Sequence, residues 1–424
     1  MKRNYYLVAL TFLSFFVMSL LANIVGPLIP DIARSFNLNL TLAGFLPFAS
    51  FIGYLCMSIP GGLLIEAVGE KPAMLSAFFV SLAGCLALAL FPSYRAAVAS
   101  LIVVGVGMVI LQVAINPLLR TAGGEEHFAF NSVVAQLVFG SASFLSPLLY
   151  SYLAVNLAGT GAGSNLLLRT LSRLVPPGLS WLSLYWVFSA ILGVMVGIVF
   201  FSRFPKVELK EDEKIGRLDT FKRLFGNPVV WLYSLGIFAY VGAEQGTANW
   251  ISKFLETYHG YDPQTIGARA VSGFWGLMVL GCVLGMVALK LFDSRGVIVW
   301  FTSGAMISLT VALFGSGPMA RIAFPMVGFF CSVMWSIVIS LALNSVAEHH
   351  GSFTGILCTA IVGGAIVPLA IGFIGDLTSL RGGLTVLYAM FGYVLCIGFW
   401  ARPLIANKTV ALRKQRCGRQ EAAM

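Results

Sequence analysis

Twelve long apolar runs, joined mostly by short polar connections, constrain this 424-residue chain more than any other feature. They cover approximately 7–30, 40–65, 71–91, 96–119, 127–157, 180–201, 229–257, 265–291, 297–314, 321–346, 352–374 and 384–406. A hydrocarbon core about 30 Å thick is crossed by a helix of roughly 20 apolar residues. Within lipid every backbone N–H and C=O must find a protein partner, which leaves only helices and closed barrels. The runs are too long and too evenly apolar for the short alternating strands of a barrel. The expectation is an all-α membrane protein with twelve transmembrane helices. Charge supports it: charged residues make up 10% of the chain, against about 25% in a soluble domain, so most of the surface faces lipid.

The net charge of +10 invites a nucleic-acid reading, but its distribution excludes one. With twelve spans, the two tails and the even-numbered loops share one side. That side carries 19 of the 27 Lys and Arg residues, including the seven from Arg203 to Arg223 and the six from Arg402 to Arg419. This is the positive-inside bias, which predicts cytoplasmic termini; the expected location is the plasma (inner) membrane. The first run lacks a small-residue cleavage site and reads as a spanning helix, not a signal peptide. The seven cysteines show no metal-ligand spacing, and six lie within apolar runs, as expected of small packing residues.

A charged stretch, SRFPKVELKEDEKIGRLDTFKRLFGN (202–227), divides the spans six and six. Shifting the first half by about 222 residues lays its loops over those of the second. The expected organisation is a six-helix bundle over 1–201, a cytoplasmic linker over 202–228, a second six-helix bundle over 229–406, and a basic tail over 407–424. Repeats of this kind place substrate between the halves near the midplane and work by rocking. A glycine-rich stretch at 158–179 reads as a mobile external loop with no assigned role. After the second span, GGLLIEAVGEKPAM sets Glu66 and Lys71 around Gly69 at a tight turn, preceded by Gly62. A charged turn of this kind can be no more than a solvated loop.

Of the 17 acidic residues, Glu244 alone falls in the middle of an apolar run, within YVGAEQGTANW. A mid-bilayer carboxylate costs about 2.5–3.5 kcal/mol on insertion scales and usually marks an ion or substrate path. Amides accompany it: Gln245 and Asn249 on one face of the same run, Gln112 and Asn116 four apart on the fourth, Asn131 and Gln136 on the fifth, and Asn344 on the tenth, with Asn23 on the first. Trp250, Trp275 and Trp335 are the tryptophans best placed for an internal cavity; the others lie near span ends. Amides donate and accept, and aromatic faces suit the C–H face of a sugar ring, so this set fits a small neutral polyhydroxylated solute. No deep Lys or Arg is present to hold an anion. Amides also serve as interhelical glue, worth about 0.6 kcal/mol on average. Gly242 and Gly246 flank the acidic cluster and predict a bend or break in the seventh helix. The four histidines sit at loops or span ends without a nucleophile partner, which argues against an intramembrane enzyme; a non-transporting sensor is a further alternative.

The strings YVGAEQGTANW, SLALNSVAEHHGSFTGILCTAIVGGAIVPLAIGFIGD, SIPGGLLIEAVGEK and INPLLR resemble the fucose/glucose–galactose cation symporter family of the major facilitator superfamily. The resemblance spans most of both halves. It implies uptake of a monosaccharide such as glucose, galactose or fucose, driven by H+ or Na+, with alternating access, no cofactor and a monomeric carrier. It implies that Gly62, Glu66, Gly69 and Lys71 form the loop that latches conformations. Asn116 and Pro117 match the family's Asn-Pro, Asn131 and Gln136 its polar pair in the fifth helix, and Glu244 its seventh-helix acid. Proton-coupled members carry acids in helices 1 and 4. Here the stretch ANIVGP has none and the helix 4 position is Gln112, which leaves Glu244 as the deep candidate for coupling. An exporter or drug antiporter of the same superfamily, or an uncoupled sugar facilitator, is the alternative.

Overall fold

A computed structural model describes residues 4–124, 127–158, 165–204, 223–346 and 350–402. The linker residues 205–222 and the tail beyond 402 lie outside the described residues. The regular elements among those described are all helical. Twelve long helices follow in order: α1 (Tyr5–Phe36), α2 (Leu40–Val68), α3 (Glu70–Leu90), α4 (Tyr94–Gly123), α5 (Phe128–Ala158), α6 (Ser183–Phe201), α7 (Pro228–His259), α8 (Ala268–Leu291), α9 (Ser294–Phe314), α10 (Gly317–Leu343), α11 (Ser352–Leu377) and α12 (Leu380–Trp400). By length and composition 11 of these can cross a membrane. The twelfth, α7, has the length but is too polar along it, because it carries Glu244, Gln245 and Asn249.

Helix starts follow local chemistry. The Asn39 side chain accepts from the Leu42 N–H at the head of α2. Asn227 does the same for Val229 at the head of α7, where Pro228 takes the first helical position. The expected break in the seventh helix is absent: α7 runs unbroken for 32 residues. Its glycines serve close packing instead. A Cβ on Gly242 would lie 2.4 Å from Val367 of α11, and one on Gly246 would lie 2.8 Å from Leu387 of α12. The interruption falls in α1, at Asn23 (φ −106°, ψ 17°), between the segments Tyr5–Ala22 and Val25–Phe36. Of the 158–179 stretch, residues 159–164 lie outside the described residues. Asn165 caps a helix over Leu166–Leu174 that buries Leu168 and Leu171 and leaves Arg169 and Arg173 outside.

In the first set of six, α4 packs on α2, α3 and α1; in the second, α10 packs on α8 and α9. Contact between the sets runs mainly through three pairs, α2–α11, α5–α8 and α1–α7. Adding six to the helices of the first set, and subtracting six from those of the second, exchanges the first two pairs and returns the third to itself. A pseudo-twofold axis along the bundle has this property.

One end of the bundle is bonded across the two sets. At the end bearing the α1–α2 loop, Arg34 pairs with Glu256 of α7. There too the Gln264 amide at the head of α8 donates to Asp31 at 2.8 Å. The Asp376 carboxylate, from α11, accepts from the Leu40 and Thr41 N–H groups at 2.9 and 2.8 Å. Gly26 of α1 lies so close to α7 that a Cβ there would sit 2.6 Å from the Ala248 carbonyl oxygen. At the end bearing the termini, Tyr6–Ser202, Tyr233–Ser345 and Tyr393–Leu232 each join helices of one set. The sets are therefore clamped together at the loop end.

Candidate functional site

Glu244 lies halfway along α7, a helix that packs against α1, α10, α11 and α12. One turn earlier on the same face, Tyr240 donates its hydroxyl to Glu244 Oε2. The Gln245 amide donates to Oε1 at 3.1 Å. No salt bridge to Glu244 occurs among the described residues. Its environment is phenol, amide and thiol, with Cys282 of α8 and Cys331 of α10 near enough to interact with it electrostatically. The ring of Trp335 in α10 lies 6.2 Å from that of Tyr240 and closes one side.

Gln245 is the crossing point. Its NH2 also donates to Asn23 Oδ1 at 3.3 Å, reaching into the first set of helices. Asn249 donates back to the Gln245 carbonyl at 2.8 Å and to its Oε1 at 3.3 Å. Asn23 donates to Ser143 of α5 at 2.9 Å, and Ser143 in turn meets Ser19 at 2.7 Å. Asn23, Gln245 and Asn249 are all buried, so these bonds satisfy groups that would otherwise be left unpaired.

A second polar group lies beside the first. Tyr54 of α2 donates to Gln112 Oε1 of α4 at 2.5 Å and stacks on Phe51 at 5.8 Å. Phe51 and Gln245 both lie against Gly364 of α11, where a Cβ would come within 2.9 and 3.2 Å of them. The amide pair on α7 and the Tyr54–Gln112 pair thus border the same junction of α2, α7 and α11.

The other expected site residues fall elsewhere. Trp250 is fully buried, and its indole donates to the Pro368 carbonyl at 3.1 Å, so it packs α7 against α11. Trp275 is buried against Phe274, with its indole nitrogen unpartnered. Asn344 caps α10 at the termini end, where its amide meets Ser340 Oγ at 3.4 Å. The Asn131 amide lies against Gly123 at the end of α4, and Gln136 is exposed. The side chain of Asn116 lies outside the described residues. Asn23, among the amides expected to accompany Glu244, joins the cluster through Gln245. The sequence carries a signal for Tyr240 in its i, i+4 spacing to Glu244, and none for Tyr54, whose partner Gln112 lies 58 residues away. No group of three or more His, Cys, Asp or Glu residues that could hold a metal occurs among the described residues.

The loop after α2 is built on Gly69, whose φ of +86° strongly favours glycine. Gly62 is buried and Glu66 exposed. Lys71 Nζ donates to the carbonyls of Phe200 and Ser202 at 2.8 and 2.7 Å, which places its charge at the C-terminus of α6.

The Major Facilitator Superfamily sequence profile matches residues 11–367. The chain belongs to this superfamily. It is 28% identical over 408 residues to a glucose/galactose transporter of Brucella abortus biovar 1 (strain 9-941), covering 94% of each chain. It is 24% identical over 392 residues to the L-fucose-proton symporter of Escherichia coli (strain K12), covering 85% of each. Among solved structures, a bacterial homologue of the human lysosomal transporter Spinster, in an inward-facing and unoccupied conformation, superposes with a TM-score of 0.79 at 14% identity. That superposition covers 95% of this chain and 97% of the other. The superfamily is one of transporters, so the protein is an integral membrane transporter and not an enzyme.

Proposed function

We propose that this protein takes up a neutral monosaccharide, a hexose such as glucose or galactose, by cation symport across the plasma membrane. The observation that carries the reading is Glu244: a carboxylate with no ion-pair partner among the described residues, held by neutral donors where the two sets of helices meet. A group in that setting gains most from a cation, either a proton on its oxygen or a sodium ion beside it. The amides and phenols around it offer hydroxyl-complementary bonds and no fixed positive charge. The names of the relatives support a sugar in that place.

Residues 1–201 and 229–406 act as the rocking halves, with both termini cytoplasmic and the loop of Gly62, Glu66, Gly69 and Lys71 as a latch. The clamped loop end is then the outward gate in its closed state. Gln112, Gln245 and Asn249 are the amides placed to meet the sugar, with Trp335 at its side.

The test is hexose uptake into proteoliposomes, with and without sodium and across pH. Accumulation against a gradient, dependent on one cation, is expected. Glu244→Gln should retain counterflow exchange and lose accumulation. Exchange without any cation dependence would identify an uncoupled facilitator, and failure to move hexose at all would favour an exporter of another solute.

A further inference from the structure

Asn23 sits where α1 is interrupted and belongs to neither helical segment. Its two polar atoms face opposite ways across the molecule. Its oxygen accepts from Gln245 of α7 and its nitrogen donates to Ser143 of α5. Every hydrogen bond in this chain has a direction. The Gln245 NH2 has two hydrogens; one goes to Glu244 and the other to Asn23. Asn23 then donates to Ser143, and the hydroxyl of Ser143 is within 3.2 Å of the Phe139 carbonyl. The pattern requires the Glu244 carboxylate to accept, as it does when it is ionised and unoccupied.

We propose that Asn23 is a positioning residue that carries the occupancy of Glu244 across the interface to the broken helix α1. A proton on Glu244 Oε1 converts that oxygen from acceptor to donor. A sodium ion beside the carboxylate attracts oxygen and repels N–H. Either event turns the Gln245 amide so that its oxygen faces Glu244, and the N–H that held Asn23 is withdrawn. The Asn23 oxygen, buried with its residue, is then unpaired, and the bridge between the sets opens at the break in α1. The segment beyond that break, Val25–Phe36, carries Gly26 against α7 and Asp31 and Arg34 in the clamp. A change of hydrogen-bond direction at mid-membrane therefore acts on the segment that holds the loop end shut. The titratable groups facing Glu244 are Tyr240 on its own helix, Cys282 of α8 and Cys331 of α10. All three are neutral in ordinary conditions and leave the carboxylate as the group that switches. A cation equally bound in both arrangements would shift nothing, so the bridge is what gives the cation a differential effect.

This inference rests on Glu244 being the coupling group of the proposed symporter, but its test does not require the sugar. Spin labels at Asn37 and Leu377, on opposite sides of the loop-end seam, report the separation of the two sets in the full-length protein. In the otherwise unaltered protein, adding sodium or lowering pH should shift the distance distribution. Glu244→Gln should abolish the response, Asn23→Ala should reduce it at least tenfold in the populations exchanged, and the double variant should match Glu244→Gln alone. In proteoliposomes, Asn23→Ala should keep hexose counterflow while losing accumulation. A cation response in Asn23→Ala equal to that of the parent would overturn the proposal. If Asn23→Ala does not fold, Ser143→Ala removes the far end of the chain and leaves Asn23 and Glu244 in place. A threefold or greater loss of the cation response is expected there, and an unchanged response refutes the bridge. A parent protein that responds to cations but moves no hexose refutes the substrate and leaves the bridge standing; one that moves hexose but responds to no cation refutes the coupling and the bridge and leaves the substrate standing.

Discussion

Helices α1 and α7 occupy equivalent places in the two sets and are built in opposite ways. The first is interrupted at Asn23 and has no acid at mid-depth, although Asp31 is buried nearer its end. The second is continuous and holds Glu244 at its centre. The difference separates two places: a continuous helix carries the charge, and its counterpart is interrupted where Asn23 meets Gln245. Glycine shows the same division. Gly26 of α1 meets the backbone of α7, with Ala248 O at 2.6 Å and Asn249 Cα at 2.9 Å from a built Cβ. Gly246 of α7 meets side chains, Leu387 Cδ2 at 2.8 Å, Ile371 Cδ1 at 3.0 Å and Val367 Cγ1 at 3.3 Å. Backbone cannot yield as a leucine methyl can.

The most damaging way to break this comparison is a bulky residue at Gly26. Gly26→Leu should prevent the loop end from closing and reduce hexose uptake by roughly tenfold or more, since overpacking against a rigid wall costs about 1–3 kcal/mol or more. Spin-label distances at the loop end should lengthen in the same variant. If uptake is normal, the contact between α1 and α7 is not a working seam. Gly246→Ala should do much less, lowering thermal stability by about 1 kcal/mol as Leu387 and Ile371 shift, with uptake retained. An effect as large as that at Gly26 would remove the distinction between the two helices.

Trp250 tests whether α7 uses its aromatic residue for packing or for substrate. Trp250→Phe gives up the bond to Pro368 and should cost about 1–3 kcal/mol of stability, the usual effect of leaving a buried acceptor unmet. The apparent KM for hexose should not move; if it changes several-fold while stability is unaltered, the indole belongs to the sugar site. The smallest effect is expected at Asp376, which is exposed. Asp376→Asn removes the charge from the head of α2, worth about 0.3–1 kcal/mol. The loop-end distance distribution should shift towards the open state by only a few-fold.

Much of this was legible in the sequence because lipid imposes length and polarity on every span. The apolar runs fall within a few residues of most helix ends, and the Glu244 cluster stood out by charge alone. What escaped depended on partners distant in the chain. Gly242 and Gly246 looked like a hinge, and only Val367, Leu387 and Ile371, more than 100 residues away, make them packing sites. Asp31 falls just past the first apolar run, where nothing in the sequence marks it as buried. Its burial comes from α1 continuing to Phe36 and from Tyr150 and Gln264 donating to it at 2.5 and 2.8 Å. Tryptophan faced the same limit, because composition cannot say whether an indole at Trp250 faces a cavity or the carbonyl of Pro368.

The head of α2 has two separate sources of acceptors. Asn39, from its own chain end, satisfies Leu42, while Asp376, from the other set, satisfies Leu40 and Thr41. When the sets part, Asp376 leaves with α11, and water can take its place at two exposed N–H groups. Asn39 stays, so the first turn of α2 does not fray. Each opening therefore exchanges a carboxylate for solvent without unwinding a helix, and the seam can re-form the moment the two surfaces meet again.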